Sequence, residues 1–501
     1  MSRSSSSNTS LSSDDEYYGD NGEEFRGSIL NNKYALIDKI GYGSYSSVWL
    51  AYSISDNKYY AIKIQNSEDY DEGLVELRIL RKIRELNNDK MIHMIEGFEV
   101  IKKENIKKKI KKGKKTFVKK VTEVRKFICM VLPLMAGSVY SLIREGKYKN
   151  GLDDKLTMNC INTILYSVND LHNKLRVCHT DLKPENMLIS GTSVKVNELI
   201  DDYSKINLKQ IYEHKLNEEL QEKKWNKASN NYKKKVRKLK TKILRQCHNS
   251  ILDNMIILSE SEDSGSECNS VYESDESNDS DDKKDNVFEK IINNGIDKEL
   301  EKSLSSEYDS ESSSESINRN DNFSVIEERY LENCKIVLTD FGSNLKIREL
   351  DDEEIQTRYY RAPEVILNLH YTEKIDVWSI GCILYEIYTG RILFDPDKDK
   401  DFSRDFHHLF LIEEICGRIP KELTKKCPKK EFFKNSKLNC SKERNAIDLK
   451  GLINKQDSNM NNLIVDLIKK CLIINPKNRP SINELIEYMD EYRNKNYCRN
   501  I

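Results

Sequence analysis

Apolar residues recur at two different spacings along the chain, and the change between them separates a β-rich first part from a helical second part. Short runs rich in Tyr, Val and Ile, bounded by turn residues, predict five strands. The strands are predicted at 34–40, 47–53, 58–64, 92–100 and 127–132. Between the third and fourth strands, residues 72–86 carry apolar positions at helical spacing. The first part is therefore predicted to form a small twisted sheet with one helix.

Helical periodicity dominates after residue 135 and is clearest over 156–172. Short strand-like pieces return at 187–189 and 335–339. Helices are then predicted to the end of the chain, at 377–388, 406–416, 462–472 and 482–492. The predicted fold class is α+β, with a small β-rich lobe followed by a larger helical lobe.

Residues 194–333 lie between the two strand-like pieces and have a different composition. Fourteen Lys or Arg residues fall between Lys205 and Arg245, where nascent helix is predicted, while 259–282 contain ten Asp or Glu, eight Ser and no Lys or Arg. Blocks of like charge repel and stay solvated, so this spacer is predicted to be a long disordered insert. The Ser-rich and then acidic residues 1–30 are predicted to be a disordered tail.

The composition agrees with a chain that is only partly folded, since 38% of residues are hydrophobic and 33% are charged. The formal net charge of -1 conceals local excesses of both signs. Twelve cysteines without a C-x-x-C pair argue against a zinc or redox centre. No apolar run of about 18 residues predicts a membrane span, and residues 1–13 lack the apolar core of a signal peptide. We expect a soluble intracellular monomer, in the cytoplasm, the nucleus or both.

Gly41 and Gly43 lie in a hairpin between the first two predicted strands. Glycines there let the backbone approach a phosphate closely, and Val48 would cover an adenine ring. The third small position of the motif is Ser46, and a lone G-x-G is weak evidence. An ordinary hairpin turn is therefore the alternative at this point.

Lys63 and Glu76 form a candidate pair on the third strand and the following helix. Lys63 occupies the strand position from which a lysine can reach the α- and β-phosphates of a nucleotide, although most strand lysines are simply solvated. Apolar residues at i+3, i+4 and i+7 place the Glu76 carboxylate on the buried face of the helix. A buried carboxylate is costly without a cation, and Lys63 is the candidate partner.

The run His179-Thr-Asp181-Leu-Lys183-Pro-Glu-Asn186 follows a predicted helix and precedes a strand. Phosphoryl transfer needs a carboxylate to receive the hydroxyl proton, a cation near the γ-phosphate and a metal ligand. Asp181, Lys183 and Asn186 supply these groups in that order within six residues. The alternative, a merely charged turn, does not account for a motif of this length.

Further motifs follow in a fixed order. Asp340, in Asp340-Phe-Gly after a strand, is a second candidate metal ligand, and Ala362-Pro-Glu364 closes the segment that begins there. Arg479 is the expected buried partner of Glu364, a structural role. Asp376, at the start of a helix, is expected to bind the backbone of the 179–186 loop. Five motifs in the right order make chance agreement negligible.

These motifs resemble those of the protein kinase superfamily over about 34–190 and 335–493, with the 194–333 spacer between. The resemblance implies a bilobal protein kinase fold, MgATP as phosphate donor, and a serine/threonine protein kinase that phosphorylates basic or Arg/Ser-rich proteins. It implies Asp181, Lys183 and Thr357 as catalytic residues, and Asn186 and Asp340 as ligands of Mg²⁺. The ATP-binding positions that it implies are Ile40, Gly41, Gly43, Ser46, Val48, Ala61, Lys63, Glu76, Pro133, Met135 and Leu188.

Within the superfamily the chain is most similar to SR-protein kinases. The His-Thr-Asp triplet at 179–181 and the long spacer after the catalytic loop are typical of that family, and His-Thr-Asp is shared with the LAMMER (CDC-like) kinases. Asp340-Phe-Gly and Ala362-Pro-Glu364 are closer to LAMMER kinases. Arg391 and His407 replace two acidic positions of the family's docking groove, and only Glu414 is retained, which weakens the attraction for an Arg/Ser repeat.

Two other functions compete with an active kinase. A pseudokinase scaffold acting through its spacer would tolerate loss of a catalytic residue, but Lys63, Glu76, Asp181, Asn186 and Asp340 are all present. Nucleic-acid binding through the lysine-rich runs 102–120 and 233–242 is the other. We do not expect direct nucleic-acid binding, because neither run has densely interleaved stacking aromatics.

The sequence also predicts constitutive activity. Many kinases hold an activation-loop phosphate with the arginine that precedes the catalytic aspartate, and that position is Thr180 here. The 25-residue segment from Asp340 to Glu364 has no Ser, Thr or Tyr between Asn344 and Gln356. Acidic residues between 349 and 354 could instead pair with nearby arginines or remain solvated.

Overall fold

The structure, a computed structural model, describes residues 25–43, 45–112, 115–144, 148–223, 231–263, 326, 329–332, 334–347, 355–397, 403–440, 445–453 and 459–497. Two units divide the chain, 1–255 together with 323–501, and 256–322. The second unit is described only over 256–263, which ends a helix. None of the helices within these ranges is long and apolar enough to cross a membrane.

Six antiparallel strands form the first lobe. They are β1 (Ile29–Leu30), β2 (Tyr34–Gly43), β3 (Ser46–Ser53), β4 (Lys58–Gln65), β5 (Glu96–Lys112) and β6 (Lys115–Leu132). Their order in the sheet is β1-β2-β3-β4-β6-β5, and helix α1 (Tyr70–Leu86) packs against β6. Since side chains alternate between the two faces of a strand, β2 and β3 supply apolar residues to both sides of the sheet.

The hairpin of β5 and β6 extends well beyond the sheet. β4 pairs only with Cys129–Leu132 of β6, whereas β5 and β6 remain paired as far as Lys112 and Lys115. The lysine-rich run at 102–120, which lies between the strands predicted at 92–100 and 127–132, is thus a two-stranded ribbon. Three cross-strand pairs join lysine to lysine, including Lys107 with Lys120 and Lys108 with Lys119.

Helices build most of the second lobe. After β7 (Met135–Ser138) come α2 (Val139–Arg144), α3 (Asp154–Asn169), β8 (Val177–Cys178) and β9 (Met187–Ser190). Three insert helices, α4 (Val194–Ser204), α5 (Leu208–Glu222) and α6 (Tyr232–Asp263), precede α7 (Arg329–Glu332), β10 (Ile336–Leu338) and β11 (Leu345–Lys346). The remaining elements are α8 (Pro363–Ile366), α9 (Lys374–Thr389), α10 (Arg404–Cys416), α11 (Lys421–Lys426), β12 (Phe433–Lys434), β13 (Lys437–Leu438), α12 (Leu449–Leu452), α13 (Asn459–Cys471) and α14 (Ile482–Tyr497).

The centre of this lobe is α9, which is buried at every position from Ile375 to Thr389. The predicted strands at 187–189 and 335–339 pair as antiparallel neighbours, with Met187 opposite Leu338. This pairing places the segment that precedes the insert directly beside the segment that follows it.

The insert helices correct the expectation of a solvated spacer over the whole of 194–333. Ser193 caps α4 by accepting a hydrogen bond from Val196 N, and Asn207 caps α5 through Gln210 N. One face of α6 buries Leu239, Ile243, Leu244, Cys247, Ile251 and Leu252. These pack against Ala35, Ile37 and Leu50 of the sheet. α6 is thus an amphipathic helix with a continuous apolar stripe, which the prediction from charge composition overlooked. The acidic residues 264–282 lie outside the described residues.

A buried hydrogen-bonded chain joins the insert to the sheet. The Tyr203 hydroxyl lies 2.8 Å from Nδ1 of His248, and Nε2 of His248 lies 2.8 Å from the carbonyl oxygen of Leu36. Because a carbonyl only accepts, Nε2 carries the proton and Nδ1 accepts from the tyrosine. Burial lowers the pKa of His248 to about 4, with a smaller contribution from the charge of Arg26.

The start of the fold lies earlier than expected. Phe25 is buried and makes edge-on contacts with the rings of Trp49 and Phe127, at centroid distances of 6.2 and 5.3 Å. The tail predicted for 1–30 therefore ends before Phe25, because this aromatic ring covers the face of the sheet opposite the insert. Residues 1–24 lie outside the described part.

Replacing Leu244 by Ala should lower the free energy of unfolding by about 2–5 kcal/mol, because it opens a cavity between α6 and the sheet. Urea unfolding followed by circular dichroism would measure the change. The matched control is Lys240→Ala on the exposed side of the same helix, for which a change within about 0.5 kcal/mol is expected. Equal effects of the two substitutions would show that the insert is not part of the core.

Acidification should weaken the packing of α6 through His248. The folded-state pKa lies below the unfolded value of about 6.5, so the stabilisation is complete above pH 6.5 and is lost as the pH falls towards 4. The loss should reach roughly 3 kcal/mol. Urea midpoints at pH 7.5 and 4.5 would be compared with those of His248→Gln, whose amide can keep both hydrogen bonds without titrating. An identical pH dependence in the variant would contradict this assignment.

Candidate active site

Lys63 joins three segments that are distant in sequence. Its ammonium donates to both carboxylate oxygens of Glu76, at 2.8 and 2.9 Å, and to Oδ1 of Asp340 at 3.1 Å. Lys63 lies on β4, Glu76 on α1, and Asp340 directly after β10. The ion pair expected from the helical spacing of Glu76 is present, and it also reaches the Asp-Phe-Gly segment.

The charges of this triad are interdependent. Burial opposes the charge of Lys63, but the adjacent carboxylates of Glu76 and Asp340 outweigh it and raise the pKa of the lysine. Burial raises the pKa of Glu76. Burial opposes the charge of Asp340, but the hydrogen bond and charge of Lys63, with smaller contributions from His179 and Lys183, together lower its pKa. A charged ammonium and a charged Asp340 carboxylate therefore face the space between the lobes near pH 7.

A second constellation surrounds Asp181. The Thr357 hydroxyl donates to Oδ1 of Asp181 at 2.6 Å, and the Lys183 ammonium donates to Oδ2 at 2.7 Å. Lys183 also lies 3.4 Å from the Thr357 hydroxyl. Two donors, one on each oxygen, fix the orientation of the carboxylate. The catalytic-loop residues and the threonine expected beside them are thus in mutual contact.

Asn186 and Asp340 offer the oxygen ligands that a magnesium ion prefers. The Asn186 side-chain nitrogen donates to the backbone oxygen of Asp181 at 2.8 Å, which turns the amide oxygen towards the other side. Oδ1 of Asp340 is bound by Lys63, and Oδ2 remains as its second acceptor. An amide oxygen and a carboxylate held in this way fit a hard divalent cation.

A buried carboxylate on α9 holds the catalytic loop. Asp376 accepts hydrogen bonds from the backbone nitrogens of His179 and Thr180, at 2.8 and 3.0 Å, and from Nε2 of His172 at 2.8 Å. These donors outweigh burial and lower the pKa of Asp376. Thr180 has a φ of 67°, which is costly for a β-branched residue. The two backbone bonds to Asp376 keep this strained turn in place.

The adenine-pocket candidates come from β2, β3, β4, β6 and β9 and from the segment between the lobes. Ala61 pairs with Leu132 at the end of β6, followed by Pro133, Leu134 and Met135. The remaining apolar candidates are Ile40, Val48 and Leu188. Ile40 and Leu134 also contact the insert cluster, so the helices of the insert adjoin the pocket wall.

The glycine-containing hairpin is open at its tip. Gly43 pairs with Ser46 across the turn, and a Cβ atom at Gly43 would meet nothing within 4 Å. Neither Gly41 nor Gly43 has a positive φ. The backbone conformation therefore does not require glycine at either position. The absence of side chains at Gly41 and Gly43 instead leaves space beside the hairpin for a ligand.

Glu364 and Arg479 form the buried pair expected of them. The guanidinium donates to both carboxylate oxygens, at 2.7 and 3.0 Å, and both side chains are fully buried. Arg479 also donates to the carbonyls of Ile473, Ile474 and Lys374. Since every donor direction is used, this pair anchors the end of the activation segment to the helical lobe.

The sequence analysis did not identify Gln356, whose side chain holds the activation segment against α9. Its side-chain nitrogen donates to Ser379 Oγ at 2.7 Å and to the Ile375 carbonyl at 3.1 Å, and its side-chain oxygen accepts from Ala362 N at 2.9 Å. Its carbonyl accepts from the Arg361 guanidinium. The sequence around Gln356 holds no local signal for this role, because its partners on α9 reach it only in the folded segment.

A cluster of carboxylates beside the catalytic loop was also missed. Glu386, buried within α9, accepts from Arg144 at 2.9 Å and from the Tyr360 hydroxyl at 2.6 Å. Glu185 has a carboxylate oxygen that is buried without a hydrogen-bond partner among the described residues, and burial raises its pKa. The signal for Glu386 was a lone carboxylate in an apolar helix, which predicts a basic or hydroxyl partner.

Known proteins share this architecture and sequence. A solved kinase domain with 22% identity superposes with a TM-score of 0.51 over 92% of this chain and 96% of its own, which shows the fold. A protein of Acanthamoeba polyphaga mimivirus, itself assigned as a serine/threonine-protein kinase, is 31% identical over 81% of this chain and 76% of its own. SRSF protein kinase 3 of Mus musculus is 25% identical over 79% of this chain and 74% of its own.

The dual specificity protein kinase CLK1 of Homo sapiens is 35% identical over 32% of this chain and 34% of its own. The resemblance to SR-protein and CDC-like kinases is thus confirmed. The family described as the protein kinase domain matches residues 34–202 and 325–489, on either side of the insert. With the bilobal fold, both parts of the site and this match in agreement, the chain belongs to the protein kinase family.

Proposed function

We propose that this chain transfers the γ-phosphate of ATP to serine and threonine hydroxyls of basic proteins, with Asp181 receiving the hydroxyl proton. The observation that carries the proposal is the Asp181 carboxylate, fixed between the Thr357 hydroxyl and the Lys183 ammonium. A carboxylate held in one orientation is ready to accept a proton from a hydroxyl placed beside it. Lys183, two residues further on, would offset charge on the transferred group, an arrangement similar to that of serine/threonine kinases.

The nucleotide is proposed to lie between the lobes. When bound, ATP and Mg²⁺ supply the transferable phosphoryl group and the positive charge that neutralises it. Lys63, kept charged by Glu76 and Asp340, would bind the α- and β-phosphates. Asn186 and Asp340 would hold the metal through side-chain oxygens. The adenine would lie against the apolar candidates around Leu132, with the Pro133 carbonyl as acceptor and the Met135 N–H as donor.

Basic substrates are proposed because of Glu185. Glu185 belongs to the catalytic loop and is half-buried, and a lysine or arginine of a substrate beside the loop would pair with its carboxylate. Binding of an extended Arg/Ser repeat in an acidic docking groove has less support than recognition by Glu185. Arg391 donates to the Leu452 carbonyl, and Nδ1 of His407 accepts from Asp397 N, so neither supplies a carboxylate. Local recognition of basic residues near the phosphorylated hydroxyl is therefore favoured over long-range docking.

Constitutive activity is proposed because several contacts tie down the activation segment without a phosphate. The Thr180 hydroxyl donates to the Ser343 carbonyl at 2.6 Å, from the position where many kinases carry a phosphate-binding arginine. Gln356 binds α9, and the Arg358 guanidinium donates to Asp405 at 2.6 Å. Asp405 also accepts from Lys429 at 2.8 Å. The acidic residues at 349–354, which were expected to pair with arginines or stay solvated, lie outside the described residues.

Substituting Asp181→Ala or Lys63→Met should each reduce phosphate transfer by at least about 10²-fold, because one removes the proton acceptor and the other a phosphate anchor. Transfer from radiolabelled MgATP to a serine peptide with flanking arginines would be measured. Lys58→Met, exposed at the start of the same strand as Lys63, is the control and should keep normal activity. Near-normal turnover in both test variants would refute the assignment.

Phosphatase treatment should leave the activity of bacterially produced protein unchanged, because unmodified side chains hold the activation segment. By contrast, Gln356→Ala should lower kcat, since it frees that segment from α9. Peptide phosphorylation and mass spectrometry of the segment would be followed together. A large loss on phosphatase treatment that is recovered by phosphorylation of the segment would overturn the proposal.

A further inference from the structure

The outer face of α6 forms a groove that none of the catalytic residues uses. The groove has a volume of about 560 Å³ and lies between α6 and the turn that connects β1 to β2. We refer to its lining as the basic groove; it consists of Asn32, Lys234, Arg237, Lys238, Thr241, Lys242, Arg245 and Gln246. Every one of these side chains can donate a hydrogen bond, and five are cations.

The charge of this part of α6 is strongly one-sided. From Tyr232 to Leu252 the helix contains no Asp or Glu. It contains eight cations: Lys233, Lys234, Lys235, Arg237, Lys238, Lys240, Lys242 and Arg245. Within the described ranges, no carboxylate lies within ion-pair distance of a groove cation; Lys242 acts at longer range on the Glu219 carboxylate, which is paired with Lys223. Cations of the neighbouring helices differ, since Lys205 pairs with Asp202 and Lys223 with Glu219.

Such an arrangement is costly when no anion is bound. Lys234, Lys238 and Lys242 follow one another at i, i+4 spacing, and like charges at that spacing destabilise a helix. Lys233 and Lys235 join Lys234 in the first turn, where the helix dipole favours anions instead. An anionic ligand along this face would relieve both penalties.

The groove is long and its donors are regularly spaced. Lys234, Lys238, Lys242 and Gln246 form one row, and Arg237, Thr241 and Arg245 form a second. Four residues advance a helix by about 6 Å, so the first row spans about 18 Å. Alternate residues of an extended peptide lie about 6.7 Å apart. The spacing therefore matches an extended chain with a negative charge at every second residue.

We propose that the basic groove binds an extended acidic peptide in which phosphoserine alternates with other residues. Arginine and lysine both bind phosphate oxygens strongly, and Asn32, whose side-chain oxygen accepts from Thr241 at 2.8 Å, presents its amide nitrogen as an additional donor. Single-stranded nucleic acid fits less well, because no aromatic ring is among the lining residues on which bases could stack.

Binding there would be coupled to the ATP-binding lobe. The opposite face of α6 packs on the sheet, and His248 of the same helix binds the Leu36 carbonyl. The cluster also includes Ile40 and Leu134, which border the adenine pocket. A peptide that relieves repulsion along α6 stabilises the docked helix and with it the sheet.

The test uses the full chain without nucleotide, so that it does not depend on kinase activity. The probe is a fluorescein-labelled peptide of alternating phosphoserine and glycine with four phosphates, and its anisotropy is measured in titrations with protein. The double charge reversal Lys238→Glu with Lys242→Glu should weaken binding more than about tenfold. The matched control is Lys421→Glu with Lys425→Glu, an exposed i, i+4 pair on α11, which should bind as the unmodified chain does.

Two comparisons complete the test. The phosphopeptide should raise the melting temperature of the unmodified chain and of the control but not that of the groove variant. The unphosphorylated peptide and a single-stranded oligonucleotide of equal charge should bind at least about tenfold more weakly. Unchanged affinity in a folded groove variant would overturn the proposal. Equal affinity for the oligonucleotide would also overturn it and identify a general polyanion surface instead.

Discussion

The contact of Lys63 with Glu76 and Asp340 is the interaction on which the rest of the site depends. Each charge is partly or fully removed from water, and a charge in that situation is tolerated only when its partner is held close. The partners belong to a strand, a helix and a loop of the opposite lobe. Loss of any one contact therefore leaves a charge without compensation and separates elements that must act together. The ion pair thus couples the position of α1 to the position of the Asp340 loop.

The sheet that carries Lys63 is unusual in being covered on both faces. Tyr34, Leu36 and Trp49 pack with Phe25 on one side, while Ala35, Ile37 and Leu50 pack with the insert on the other. A sheet with one solvated face would expose the second set. The insert therefore provides an apolar surface that the strands require, and the position of β4 is fixed from both sides. The charged composition of this region gave no indication of that role.

Residue patterns predicted most of the side chains that meet at the candidate site, because these residues are close in sequence or share one helix. Asp181, Lys183 and Asn186 lie within one loop, and the carboxylate of Glu76 was placed on the buried face of its helix by neighbouring apolar residues. The role of Gln356 could not be read in this way, since its partners on α9 are brought to it only by the folded segment. For the insert a signal did exist. The consecutive apolar run Tyr34–Ile37 is typical of a strand buried on both faces. The prediction of a solvated spacer relied on the charge of 194–333 and did not use this run.

The docking of α6 on β2 and β3 also determines when the first lobe can be completed during synthesis. Strands that end at residue 53 emerge from the ribosome long before the helix that covers them, whose last buried contact with the cluster is Leu252. Domains generally fold as they emerge, from the N-terminus onwards. Here one face of the sheet must remain uncovered until about two hundred further residues, including the entire catalytic loop, have been translated. The nascent chain therefore passes through a long interval in which an apolar sheet face is accessible to chaperones.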